Sequence, residues 1–173
     1  MTDLTIAIAK GRLQAETLDL LTGAGFIFSS EALSSRRLAV DDVSGRFRLI
    51  FVKPADVPVY VEHGIADCGI VGRDVLLESD ADLLQPLSVN IGACRIVVAA
   101  KDDVALRQVG MVRVATKYPR IAARHFGARG VAVDLSSYRD RWSWLPYWDL
   151  LIASLISSRP ARRLRKTTSL LLR

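Results

Sequence analysis

Six short apolar runs, separated by stretches of helical spacing, constrain this chain more than any other feature. Leu4–Ala9 (LTIAIA) comes first. Arg48–Val52 (RLIFV), Asp67–Val71 (DCGIV), Ala93–Ala100, Arg113–Thr116 and Val131–Leu135 follow. Runs this short, with β-branched residues and turn signals at their ends, read as strands buried in a sheet. Between the first two, Leu13, Leu18, Leu20 and Leu21 recur at roughly helical spacing and end near Gly23 and Gly25. Asp56–His63 reads as a short helix stopped by Gly64, and Asp74 to Glu78 and Pro119–Phe126 read as two more. Strands that alternate with helices predict parallel pairing through right-handed crossovers.

Composition narrows the class. Half of the 173 residues are apolar, enough for a real core. No apolar run approaches the roughly 18 residues of a membrane-spanning helix, and the start lacks the basic flank and length of a signal peptide. Cys68 and Cys94 give neither a disulfide framework nor zinc-ligand spacing. The expectation is a cytoplasmic α/β protein. The net charge of +6 invites a nucleic-acid reading, but its location argues against one. Positions 1–135 hold 16 basic and 16 acidic residues, whereas positions 136–173 hold 8 basic and 2 acidic. Trp142, Trp144 and Trp148 also lie in this tail, and all 11 glycines precede it. The chain therefore reads as a body, 1–135, and an unlike tail, 136–173.

Chemistry is expected beyond the carboxyl ends of the strands, where open α/β sheets bind ligands. Lys10-Gly11-Arg12 follows the first strand and opens a helix. Its glycine lets a phosphate approach the backbone and its cations would hold it; the plain alternative is a solvated basic turn. Gly69, Gly72 and Asp74 lie on and just after the third strand. Asp74 suits a substrate hydroxyl or a metal-bound diphosphate, or serves only as a helix-start acid. Thr116 and Lys117 end one strand and open a helix. They suit a second phosphate, or are a capping threonine and a surface lysine. His63, at a helix end, and Cys94, inside a strand, read as structural.

Taken together, the strings IAIAKGRL (6–13), DVPVYVEHGIADCGIVGRDVLLE (56–78), GACRIVVAA (92–100) and VRVATKYPRIAARHF (112–126) resemble ATP phosphoribosyltransferase, and more narrowly its short form. The resemblance covers about 1–135. It implies an α/β fold of two lobes, like the type II periplasmic binding proteins, with mainly parallel sheets and flanking helices. It divides the chain into a first lobe, 1–91, an incomplete second lobe, 92–135, and the non-family tail, 136–173. The implied reaction moves the 5-phosphoribosyl group of phosphoribosyl diphosphate to N1 of ATP and releases diphosphate, with substrate-bound Mg²⁺. This is the first step of histidine biosynthesis. The implied partner is a regulatory subunit related to histidyl-tRNA synthetase, with neither nucleic acid nor membrane involved. By resemblance Lys10, Arg12 and Asp74 are the catalytic set, with Lys10 and Arg12 on nucleotide or diphosphate oxygens. Gly11 is a substrate-binding residue of the same loop, Asp74, Gly72 and Gly69 shape the floor of the cleft, Asp56 and Tyr60 its wall, and Arg95, Ala115 and Lys117 line the facing lobe. Lys53 stands where the family more often has Arg, which removes a bidentate contact.

The tail departs from the family after Val133-Asp134-Leu135. There the family continues into a glycine-rich loop, roughly GSVELAP, that wraps the ribose 5-phosphate at a helix N-terminus. Synonymous codons for the stretch ending at Asp149 permit LSGSVELAPLLG in a neighbouring frame, so the tail reads as a frameshifted translation. Loss of the loop predicts weak binding of phosphoribosyl diphosphate and an inactive chain. Two other readings of the tail are a basic patch for nucleic acid or acidic membrane at Arg159–Lys166 and an amphipathic surface helix at Leu150–Ile156. The alternative for the whole chain is a non-catalytic two-lobed module that binds a small anion.

Overall fold

The computed structural model describes residues 4–34, 37–100, 111–137, 150–156 and 168–172. The chain divides into two compact units, Met1–Ala93 with Arg165–Arg173, and Cys94–Leu164.

The first unit is built on β1 (Leu4–Ala9), which pairs in parallel with β3 (Phe47–Val52) on one side and β4 (Cys68–Gly72) on the other. Its sequence explains its central place. Side chains alternate across a strand, so LTIAIA sends Ile6 and Ile8 to one face and Ala7 and Ala9 to the other. Ile6 and Ile8 pack with Leu49, Phe51, Ile70 and, from α1 (Gln14–Gly23), Leu21. Ala7 and Ala9 pack with Val57 and Val61 of α3 (Asp56–Glu62) and Leu76 of α4 (Arg73–Ser79). Large side chains fill one face, and small ones admit a helix on the other.

Gly69 completes that second face. A Cβ there would lie 2.7 Å from Val57 Cγ1 and 3.0 Å from Val61 Cγ2. The approach of α3 to β4 therefore requires glycine, and any larger side chain overpacks the contact. At the far end of β4, Asp67 ties two strand starts together. Its carboxylate accepts from the Thr5 amide at 2.7 Å, and its own amide donates to the Thr5 carbonyl at 2.9 Å.

The remaining elements lie outside the six runs. They are α2 (Ser30–Ser34), β2 (Ala39–Asp41), β5 (Leu84–Val89) and β10 (Thr168–Leu172). The sheet order is β2-β3-β1-β4-β10-β5, with β2 antiparallel to β3, and β10 antiparallel to both β4 and β5. β5 is an exposed edge strand, a position that tolerates Pro86.

In the second unit β6 (Cys94–Ala100), β9 (Leu150–Ile156), β7 (Val112–Thr116) and β8 (Val133–Ser137) form a four-stranded sheet in that order. β7 is parallel to β8 and β9, and β9 is antiparallel to β6. α5 (Pro119–Gly127) buries Ala122 and Phe126, one turn apart, against Val112 and Val114. The surface-helix reading of Leu150–Ile156 is overturned, since LLIASLI is a strand paired on both sides. A nearly uninterrupted apolar run has no polar face for a surface helix and suits a strand flanked by two others. The Arg159–Lys166 patch and the three tryptophans lie outside the described residues.

Candidate functional site

Register places three loops side by side at the carboxyl edge of the first sheet. Ala9 pairs with Val52, and Ile8 with Ile70, so β1, β3 and β4 end nearly level. The loops that leave them are Lys10-Gly11-Arg12, Lys53-Pro54-Ala55 and the Gly72-Arg73-Asp74 junction. Lys10 continues the ladder by one bond, its amide donating to the Val52 carbonyl at 2.8 Å. Lys10, Arg12, Lys53 and Arg73 are exposed, and Asp56 and Asp74 are half-buried. The edge is thus a row of cations with two carboxylates among them.

Gly11 shapes the first loop. Its φ is +100°, in the range that side-chain-bearing residues rarely adopt, and no atom lies within 4 Å of where a Cβ would stand. Its carbonyl accepts from the Gln14 amide at 3.1 Å, which starts the turn into α1. Among the described residues, no acceptor takes the amides of Gly11, Arg12 or Leu13. Amides without intrachain partners at a helix start, beside Lys10 and Arg12, fit an incoming anion.

Gly72 joins this loop to the next. It precedes α4 with extended backbone, and a Cβ there would collide with the Asp74 carboxylate and meet Leu13 Cδ1 at 3.9 Å. Glycine therefore lets Asp74 fold back toward the end of β4. Asp74 stands in the first turn of α4 and has interactions of its own within the fold. A carboxylate there is favoured by the helix dipole as well as by neighbouring cations.

Not every residue expected at the site reaches the edge. Gly69 pairs with Ala7, three positions before Lys10, or about 10 Å down the strand. Its close contacts are with α3, so it underlies the edge rather than lining it. Asp56 opens α3 at the edge, but Tyr60 lies one turn further on, about 6 Å along the axis, against the second core cluster. His63 follows α3, its ring Nδ1 3.0 Å from the Val59 carbonyl. Asp67 holds the opposite end of the sheet. Lys53 and Arg73 belong to the cation row as well, beside the expected Lys10 and Arg12. Their signal is available in the sequence, since Lys53 directly follows one apolar run and Arg73 follows another after a single glycine.

The second unit carries a related edge. Thr116 ends β7, is fully buried, and its Oγ1 accepts from the Tyr118 amide at 2.9 Å. Pro119 then opens α5. Ala115 is buried within the strand, and Lys117 is exposed on the turn. Arg95 is exposed on β6 opposite Leu155, three positions past the Ile152 that faces Thr116. Arg95 and Lys117 therefore share one edge of this sheet, the one where β7 and β8 end.

Among the described residues no three His, Cys, Asp or Glu side chains cluster as a metal cage, and no helix is long and apolar enough to cross a membrane.

The sequence profile of the family described as ATP phosphoribosyltransferase matches residues 53–139, just over half of the chain. A curated ATP phosphoribosyltransferase from Chromobacterium violaceum is 45% identical over 137 residues, which cover 76% of this chain and 64% of the relative. The chain spans a little under two thirds of that relative's length. An ATP phosphoribosyl transferase (HisG:HisZ) complex from Thermotoga maritima is similar in structure, with a TM-score of 0.74 and 27% identity. The match covers 98% of this chain and 87% of that one. The periplasmic aliphatic sulphonate binding protein of Escherichia coli shares the fold at a TM-score of 0.51 and 12% identity, over 99% of this chain and 65% of that one.

Proposed function

The chain belongs to the ATP phosphoribosyltransferase family, and we propose that it serves that family's reaction in the cytoplasm. The N1 lone pair of the ATP adenine forms a bond to the anomeric carbon of phosphoribosyl diphosphate. The bond from that carbon to the diphosphate oxygen breaks, and its electrons leave with diphosphate. The single observation that carries the reading is the cation row at one sheet edge, Lys10, Arg12, Lys53 and Arg73, beside a glycine turn open to a ligand.

Both substrates are polyanions, and the reaction builds positive charge on the ribose and negative charge on the departing diphosphate. What it asks of a protein is fixed cations, backbone amides and alignment of the attacking nitrogen. Lys10, Arg12 and the amides after Gly11 supply the first two at one point. Asp74, folded back over Gly72, would face a ribose hydroxyl or a cation. Arg95 and Lys117 would hold a further phosphate on the second unit's edge, with Ala115 beneath them.

Magnesium fits as a substrate-borne ion. A hard cation carried on phosphate oxygens needs one or two carboxylates, not a protein cage, and Asp56 and Asp74 stand at the edge that would receive it. When bound, the ion neutralises diphosphate charge and eases its departure. The Thermotoga transferase is complexed with HisZ, which supports a regulatory subunit for this chain as well, one related to histidyl-tRNA synthetase.

We assign the substrate-binding residues named above to 1–135 and read 136–173 as a neighbouring-frame translation of the family's 5-phosphate loop and final helix, so that the chain as written binds ATP but lacks turnover. Two measurements test the whole reading. Calorimetric titration should show ATP binding, with phosphoribosyl diphosphate binding weak; absence of ATP binding sinks the assignment. Sequencing of the DNA across codons 130–140 should reveal a gained or lost base that restores GSVELAP; an intact frame sinks the reading of the tail.

A further inference from the structure

The chain leaves the first unit at Ala93, and the segment just before this exit is held at two successive residues. Ile91 packs its side chain against the core cluster that contains Leu21 of α1. The next residue, Gly92, donates its amide to Glu16 Oε2 at 2.8 Å, across 76 positions of sequence. Glu16 lies in the first turn of α1, the helix that begins directly after the Lys10-Gly11-Arg12 loop. Gly92 has a φ of +60°, a backbone conformation natural to glycine, so the amide is aimed by a turn that a substitution would strain. The bond is charge-assisted, stronger than a neutral one.

We propose that Glu16 is a positioning residue. It fastens the exit of the first unit to the helix whose start receives the nucleotide phosphates, so that occupancy of the loop and order at the exit are coupled. The coupling rests on the proposed activity, because it takes ATP as the ligand of that loop. The physical chain is short. An anion on the amides after Gly11 stabilises the first turn of α1. The same turn presents Glu16 to Gly92, and whatever firms the turn firms the bond. By linkage the reverse also holds, so the bond favours the loop conformation that binds ATP.

Hydrogen exchange at the Gly92 amide, with and without ATP, tests this on the full chain. Glu16→Gln keeps an oxygen at the same reach and loses the charge, Glu16→Asp keeps the charge and loses the reach, and Glu16→Ala loses both. The expected result is exchange about tenfold or more faster in the Ala and Asp variants, as for loss of one charge-assisted hydrogen bond, with Gln between them and wild type. ATP should slow exchange further in wild type and Gln only. Equal exchange in wild type and Ala overturns the proposal. So does a Gln variant that behaves like Ala, which would leave only a helix-dipole effect of the charge. An equal ATP effect in all four proteins overturns the coupling. If wild type fails to bind ATP in the same titration, the proposed activity falls and the coupling with it, whereas an intact ATP affinity with unchanged exchange rejects Glu16 alone.

Discussion

Two loops in this protein solve the same local problem, a strand followed directly by a lysine and a turn into a helix, and they solve it differently. After β1 the turn is made by Gly11 at a positive φ, with empty space where a side chain would stand and with amides that find no acceptor among the described residues. After β7 the turn is made by Thr116, whose hydroxyl takes the Tyr118 amide, and by Pro119, which has no amide to satisfy. The first loop is open toward an anion along its backbone. The second has already spent its backbone on itself and offers Lys117 as a side-chain contact. A phosphate on the first loop would meet amides and cations together, and on the second mainly a cation.

The largest effect should come from stripping charge from the first loop. Charge-assisted hydrogen bonds contribute about 1.5–3 kcal/mol each, so Lys10→Ala with Arg12→Ala should weaken ATP binding by about 100-fold or more. Lys117→Ala removes one cation from a self-satisfied turn, and on the same scale should cost a bound phosphate about tenfold. Titrations of ATP and phosphoribosyl diphosphate against both variants rank the loops; equal losses would erase the distinction between them.

Next in size is Gly11→Ala. Holding an L-residue in the left-handed range costs about 1–2 kcal/mol, and the empty space means that no steric clash adds to it. Urea unfolding should show that loss, and ATP affinity should fall as well, because the loop relaxes away from its anion-ready shape. A variant with lower stability and full ATP affinity would show that the glycine serves the fold and not the ligand. Thr116→Val is the matching change in the second unit. It preserves shape and removes the acceptor of a turn amide, at a cost of about 1 kcal/mol. Here stability should fall with little change in ligand binding, the reverse emphasis of Gly11→Ala.

The same contrast shows what could be read from the sequence. The six buried runs, the α1, α3, α4 and α5 helices and the Lys10-Gly11-Arg12 turn were legible because each combines local pattern with punctuation. β2 was not, since three residues give no period, and neither was β5, whose LQPLSV contains a proline and an edge strand carries little pattern. β9 and β10 are apolar runs, but which strands they lie between is set by tertiary pairing and not by local pattern. At the site, the sequence located the loops but not which residues reach the edge. Gly69 and Tyr60 belong to the same motif as Gly72 and Asp56, yet strand register and helix rise carry them below it. Lys53 and Arg73 needed the register of β1, β3 and β4 before they could be seen as neighbours of Lys10.

The two cysteines give the smallest test and a separate one, because each opens a strand in a different unit. Cys68 begins β4 and is 4% exposed, whereas Cys94 begins β6 and is half-buried; neither forms a disulfide. Burial first, and the nearby Asp67 charge second, push the Cys68 thiol up to about 11. A thiolate is the reactive form, so at pH 8 a thiol reagent should label Cys94 well before Cys68 in the native protein, and both at similar rates in urea. The same shift bears on stability. The fold favours the neutral thiol, so its contribution is fully present below the ordinary thiol value near 9 and is lost as pH rises from there through about 11. Urea midpoints measured across that window should fall less steeply in Cys68→Ala than in wild type. Identical slopes would mean that water reaches the thiol at the start of β4.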